Sequence, residues 1–108
     1  MYARRVSMHL KPNSAAEFTR RLDTDIIPLL RRQKGFKDEL TFINTGGKDA
    51  FGISLWERSE DAEAYNRGPY ADVTKLLATC VDGTPQVETY EVANSTWHKI
   101  PVTTPPTR

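Results

Sequence analysis

The chain has 108 residues, 38% of them hydrophobic, and fifteen Lys and Arg against fourteen Asp and Glu leave a net charge of +1. That length suits one domain around one core, and near-neutrality excludes a global field that would draw the protein onto nucleic acid or an anionic membrane. No apolar run approaches the roughly 18 residues of a membrane span, and a solitary Cys80 excludes an internal disulfide framework.

Residues 2–10 alternate, with Val6, Met8 and Leu10 on one face and Arg5, Ser7 and His9 on the other, so they predict a strand. Lys11-Pro12-Asn13 ends it. Ser14 and Glu17 have the spacing of a capping box, which predicts a helix start. The buried stripe of that helix is expected at Phe18, Leu22, Ile26 and Leu29. Pro28 lacks a backbone N–H and clashes with the preceding turn, so a kink is expected there, and Gly35 reads as a left-handed terminator. Residues 36–44 and 50–57 predict a hairpin across Thr45-Gly46-Gly47-Lys48. Ser59 is expected to cap a second helix, with Glu60 and Asp61 favoured by the helix dipole in its first turn. Gly68-Pro69 interrupts this helix, which is expected to resume through Tyr70, Val73, Leu76, Leu77 and Cys80 as far as Gly83. A last strand is predicted over residues 86–92. Residues 93–108, rich in Thr and Pro, are expected to form an irregular tail outside a domain of residues 1–92, with Trp97 and Ile100 as anchors on a neighbouring surface.

The order strand, helix, hairpin, helix, strand is the βαββαβ arrangement of an α+β, ferredoxin-like fold: a four-stranded antiparallel sheet with two helices on one face. The helices need an apolar surface beneath them. Val6, Met8, Leu10, Phe51, Ile53 and Leu55 are expected to supply it, each worth roughly 1.5–3 kcal/mol on full burial. The opposite face would then carry Arg5, Ser7, His9, Ala50, Gly52, Ser54 and Trp56, a mixture too small and too aromatic for an ordinary solvated sheet surface; its small residues would let the sheet of a second copy approach, and a homodimer is expected there.

The chain resembles the antibiotic biosynthesis monooxygenase-like group of dimeric α/β-barrel proteins. The likeness rests on Leu10-Lys11-Pro12, Glu17-Phe18, Ile27-Pro28-Leu29-Leu30, Gly35-Phe36, Ile53-Ser54-Leu55-Trp56 and the run from Ser59 to Tyr65, and it extends over residues 2–92. It implies a homodimer in which each subunit keeps an apolar pocket between sheet and helices. Members include cofactor-independent monooxygenases acting on quinol or polyketide aromatics, as well as haem-degrading enzymes. The positions used by the haem-degrading members hold Val6, Tyr65 and Thr74 here, so an iron-ligating imidazole is missing and haem degradation is disfavoured. Many other members have a His at the Tyr65 position. Its absence weakens general-base catalysis there, although a tyrosine hydroxyl can orient a phenolic substrate.

Pocket candidates are Val6, Met8, Phe18, Phe51, Tyr65 and Tyr70, holding a small apolar or aromatic molecule. No cofactor and no metal are expected, because neither His9, His98 nor Cys80 has further ligands at metal spacing. Cys80 is expected to pack as a small hydrophobe. The pairs Arg20-Arg21 and Arg31-Arg32 are interspersed with Glu17, Asp23 and Asp25 and lack interleaved aromatics, so they read as a solvated face and no nucleic-acid partner is expected. Gly46-Gly47 lacks the Lys-Ser/Thr ending of a phosphate loop. The opening MYARRVSMHLKP lacks the apolar stretch of a secretory leader, so the cytoplasm is the expected compartment. The enzyme expected is a cofactor-independent monooxygenase on a quinol or polyketide-like aromatic, and the alternative is non-catalytic binding or sensing of a small apolar metabolite.

Overall fold

A computed structural model describes residues 1–100. In chain order it contains β1 (Tyr2–Leu10), α1 (Ala15–Arg21), a π-helical segment (Leu22–Ile26), α2 (Ile27–Arg31), β2 (Phe36–Ile43), β3 (Asp49–Trp56), α3 (Ser59–Arg67), α4 (Tyr70–Leu77) and β4 (Val81–Glu91). All strand pairs are antiparallel and the sheet order is β2-β3-β1-β4, as the ferredoxin-like arrangement requires. Both helical layers lie on one face, and among the described residues no helix is long and apolar enough to cross a membrane.

The first helical run is interrupted just before Pro28: its turns widen over Leu22–Ile26, and regular helix restarts at Ile27. A π turn absorbs the hydrogen bond that Pro28 cannot make. It also moves the buried stripe: Phe18, Leu22, Ile26 and Leu30 are buried, whereas Leu29, expected in their place, is only partly so. A turn of more than 3.6 residues lets spacings of four stay on one side.

Neither expected serine cap forms. Ser14 points its hydroxyl at the Pro12 carbonyl, and Glu17 is drawn to Arg20 and Arg21 at 2.6 and 2.8 Å instead of returning to the helix start. Ser59 is the first residue of α3, and the cap position is held by Arg58.

The second helix breaks at Gly68-Pro69 as expected, but α4 stops at Leu77 and β4 starts at Val81, earlier than residue 86. Gly83 adopts φ +78° where the pairing of β4 with β1 slips between Ser7 and His9. Gly83 reads as a helix end in sequence, yet on this edge strand a positive-φ glycine near Pro85 accommodates the slip in pairing.

The largest correction concerns the faces of β3. Val6 pairs with Gly52, Met8 with Ala50 and Arg4 with Ser54, so the small residues of β3 share the helix-covered face with Val6, Met8 and Leu10. Ala50, Ser54 and Trp56 are buried there. Phe51, Ile53 and Leu55 pair with Ser7, Arg5 and Ala3 and point away from the helices. The expected core face was therefore right for β1 and inverted for β3. Both faces of β3 carry apolar side chains, so hydrophobicity alone could not choose between them; the register did.

Trp56 anchors the core. It is completely buried, donates Nε1–H to Ser54 Oγ at 2.9 Å, meets the Phe36 ring edge-on at 5.6 Å and leans on Tyr65 at 5.1 Å. Cys80 is likewise fully buried, consistent with packing as a small hydrophobe. Beyond β4 the chain from Val92 to Ile100 has no regular structure, and His98 Nε2 meets Asp38 Oδ2 of β2. The expected tail also includes residues 101–108, which lie outside the described residues.

Gly35 adopts φ +80°, and a Cβ there would fall 2.1 Å from Asp61 Oδ2. Gly35→Ala should therefore cost about 1–3 kcal/mol through backbone strain and displacement of Asp61. Gly46 has open space where its Cβ would be, so Gly46→Ala should stay within about 0.5 kcal/mol of the parent. Urea denaturation of the two variants checks the contrast.

Candidate functional site

A cavity of about 380 Å³ lies between the sheet and the helices, within the range of small-molecule sites. It exists because β3 offers Gly52 and Ser54 at its floor, side chains too short to reach the helices. Phe18, Leu22 and Ile26 from the first helical run wall one side, and Val73 and Leu77 of α4 close another. Of the expected pocket residues, Val6, Met8, Phe18, Tyr65 and Tyr70 all border this cavity. Phe51 does not. It lies on the opposite sheet face, stacked on Phe42 at 4.7 Å with 19° between the rings and with Arg5 Cζ 4.5 Å from its centroid.

Three polar groups absent from the expected site form a row across the floor. Arg4 on β1 pairs with Ser54 on β3, and Ser54 pairs with Glu39 on β2, so all three point to the same side. Arg4 is 3% exposed, donates Nη2–H to Asn66 Oδ1 at 2.7 Å, and places its Cζ 4.1 Å from the Tyr70 ring centre and 5.2 Å from that of Tyr65. These contacts place the guanidinium over two aromatic faces. Arg4 was legible in part, since it shares the parity of Val6, Met8 and Leu10; a charge on an apolar stripe marks a position under constraint.

Glu39 accepts a hydrogen bond from the Thr41 hydroxyl and lies over Gly52, whose Cβ, if present, would be 3.1 Å from Glu39 Oε2. Burial raises the pKa of this carboxyl above the ordinary value, the Thr41 hydroxyl partly opposes that rise, and Asp23 adds to it. Burial pushes the Tyr65 hydroxyl far above the usual phenol range, against a smaller lowering by Arg4, while Tyr70 and Glu39 push it further up. Tyr65 at neutral pH is therefore a hydrogen-bond donor and not a base. The cavity thus combines an apolar wall, a fixed cation, a carboxyl of increased basicity and the neutral phenol of Tyr65.

The histidines lie elsewhere. His9 Nδ1 is 2.6 Å from Asp49 Oδ1 on the outward sheet face, bordering a second cavity of about 430 Å³, and His98 is on the chain beyond β4. Among the described residues no group of three His, Cys, Asp or Glu side chains could hold a metal ion. Val6, Tyr65 and Thr74 do face the cavity, but Thr74 gives its hydroxyl hydrogen to the Ala71 carbonyl at 2.8 Å and brings no imidazole. Gly47 adopts φ +70° inside the β2–β3 hairpin, where Asn44 Oδ1 accepts from the backbone N–H of Lys48 and Asp49, so the glycine pair serves a turn.

Neither a protein-family model nor a curated protein sequence matches this chain. Solved structures do. A monooxygenase of Streptomyces coelicolor from the gene ActVA-Orf6, in complex with the ligand Nanaomycin D, superposes with a TM-score of 0.75 at 14% identity, covering 94% of this chain and 92% of its own. SnoaB, a cofactor-independent oxygenase of Streptomyces nogalater, gives 0.70 at 12% identity over 88% and 95% of the two chains. A protein of unknown function from Nitrosomonas europaea gives 0.73 at 20% identity over 94% of each. At these identities the likeness establishes a shared fold, a βαββαβ sheet with its helices on one side.

The raised pKa of Glu39 has a sign in stability. Folding favours its acid form, so its contribution is present below the ordinary carboxylate range and is lost as pH rises through the raised value. Glu39→Gln, whose amide oxygen still accepts from Thr41, should gain a few degrees in Tm over the parent at about pH 7.5 and little at about pH 4. Thermal unfolding of both proteins at the two pH values checks this, and an equal shift at both would contradict it.

Proposed function

We propose that this protein is a monooxygenase-like member of the antibiotic biosynthesis monooxygenase group, holding a flat, electron-rich quinol or polyketide-like aromatic in the cavity beneath its helices. The observation that carries this reading is the cavity itself: about 380 Å³, apolar on its walls and polar only across its floor, on a fold shared with a cofactor-independent oxygenase and with a monooxygenase that binds Nanaomycin D. Val6, Met8, Phe18, Tyr65 and Tyr70 would clasp the ring and exclude water. Phe51 has no part in it.

Chemistry on such a substrate needs electrons that an activated aromatic can supply itself. For a hydroxylated anthrone, the two hydrogens of the ring methylene leave, one oxygen atom of dioxygen becomes the new carbonyl oxygen, and the other departs with the two hydrogens as water. The protein has to remove a proton to make the ring electron-rich and to hold it in place. Glu39 is suited to accept that proton from a ring hydroxyl or from the methylene, because its raised pKa makes it the stronger base. Tyr65 donates to a ring oxygen.

The functional unit in this reading is a homodimer, formed through the outward sheet face and not through the small-residue face. That outward face carries Leu40, Phe42, Phe51, Ile53, Leu55 and Tyr90, of which Phe42 and Tyr90 are each 44% exposed. An apolar sheet surface of this kind is costly in water, and a twofold axis would let two copies cover each other's. The compartment in this reading is the cytoplasm, where a lone buried thiol stays reduced.

Dioxygen uptake on mixing the protein with quinols and hydroxylated anthrones tests the activity. Uptake that falls at least about tenfold in Glu39→Gln is the expected result, and no uptake across the panel, with a co-purified ligand unchanged on aeration, would favour simple binding. Ile53→Glu should turn a dimer into a monomer in sedimentation while keeping the fold, since it buries a charge only in the assembly.

A further inference from the structure

Arg4 is electrostatically unfinished. Its side chain is almost fully buried, yet its hydrogen bond to Asn66 engages a neutral amide, and among the described residues no carboxylate forms an ion pair with it. No buried side-chain nitrogen or oxygen among those residues lacks a partner. The guanidinium N–H groups that Asn66 leaves free must therefore reach open space, and Arg4 borders the cavity. Arginine stays protonated at any physiological pH, so deprotonation cannot relieve the burial. Stacking on Tyr65 and Tyr70 offsets part of the desolvation cost but provides no hydrogen-bond acceptor.

The other ionic group of the cavity wall, Glu39, stands two strands away in the same row, with Ser54 between them. At the usual strand spacing the two backbones are about 9–10 Å apart. A fused aromatic of two or three rings spans that separation. An anion placed at Glu39 would be repelled, whereas at Arg4 it would find unused donors in a desolvated setting. The floor therefore has a polarity that a neutral, symmetrical ring system would not exploit.

We propose that the ligand of this cavity is an aromatic acid: a fused hydroxyarene whose ionised carboxylate is taken by the guanidinium of Arg4, with its hydroxyl-bearing end directed toward Glu39. The inference rests on the aromatic reading of the cavity and adds the ionic group and the orientation. Two consequences distinguish it. Affinity depends on the ligand's charge more than on its ring area, and Arg4 is the residue that reads the charge.

The test is isothermal titration of the full chain with anthraquinone-2-carboxylate and with its carboxamide, which has the same ring system and nearly the same shape. The carboxylate should bind at least about tenfold more tightly, as a charge-assisted bond to a buried donor implies. Arg4→Met, which keeps the length of the side chain and removes its charge, should abolish that preference while the carboxamide still binds, and Arg4→Lys should keep part of it. Equal binding of the two probes to the parent, or a preference that survives in Arg4→Met, overturns the proposal and leaves the aromatic reading standing. Binding of neither probe overturns both. Should Arg4→Met fail to fold, a crystal structure of the parent with the carboxylate decides: its oxygens within hydrogen-bond reach of Arg4 uphold the assignment, and a carboxylate at the cavity mouth refutes it.

Discussion

The pairing of Val6 with Gly52 is the constraint on which the rest of the structure depends. It sets Ala50, Gly52 and Ser54 beneath the helices, and short side chains at the centre of a sheet cannot fill the space between two layers about 10 Å apart. A space walled by Phe18, Leu22 and Ile26 is the result. In an ordinary core such a void would be closed by larger side chains, since cavities cost stability in proportion to their volume. Here the backbone register preserves it, and Trp56, buried at the end of the same strand, helps hold that register through its contacts with Ser54, Phe36 and Tyr65.

The same register aligns the electrostatics. Side chains opposite each other across an antiparallel pair share a face, so Arg4, Ser54 and Glu39 form one line from the third strand of the sheet to its edge. A cation against two aromatic rings at one end and a desolvated carboxyl at the other make the floor directional. Tyr65 ties the core to this row: it leans on Trp56, lies under the Arg4 guanidinium, and its hydroxyl is kept protonated by burial. Polar groups placed this way orient a ring, whereas the apolar walls only enclose it.

The outward face follows as the complement of the first. Strand side chains alternate, so when the small residues of β3 turn inward, Phe51, Ile53 and Leu55 must turn outward beside Leu40 and Phe42. A sheet apolar on both faces is poorly suited to an isolated subunit. The Phe42–Phe51 stack and the Arg5 guanidinium above Phe51 cover part of that surface, while Leu40 remains 38% exposed.

Local sequence chemistry was sufficient for the order and type of the elements, because period, glycine and proline act within a few residues of themselves. The strand at Val6, Met8 and Leu10, the hairpin at Gly46-Gly47, the interruption before Pro28 and the break at Gly68-Pro69 were all legible, and the βαββαβ topology follows from them. Five cavity residues were legible with it: Val6, Met8, Phe18, Tyr65 and Tyr70. What lay beyond reach was the side of β3 that faces the helices, and with it the exclusion of Phe51 and the inclusion of Glu39. A strand with large apolar residues at 51, 53 and 55 and small ones at 50, 52 and 54 satisfies the alternation rule either way, and only the hydrogen-bonded register with β1 and β2 selects one. Parity along a strand is a local property, whereas which parity points inward is set by the pairing with β1, whose residues lie forty or more positions away in the chain.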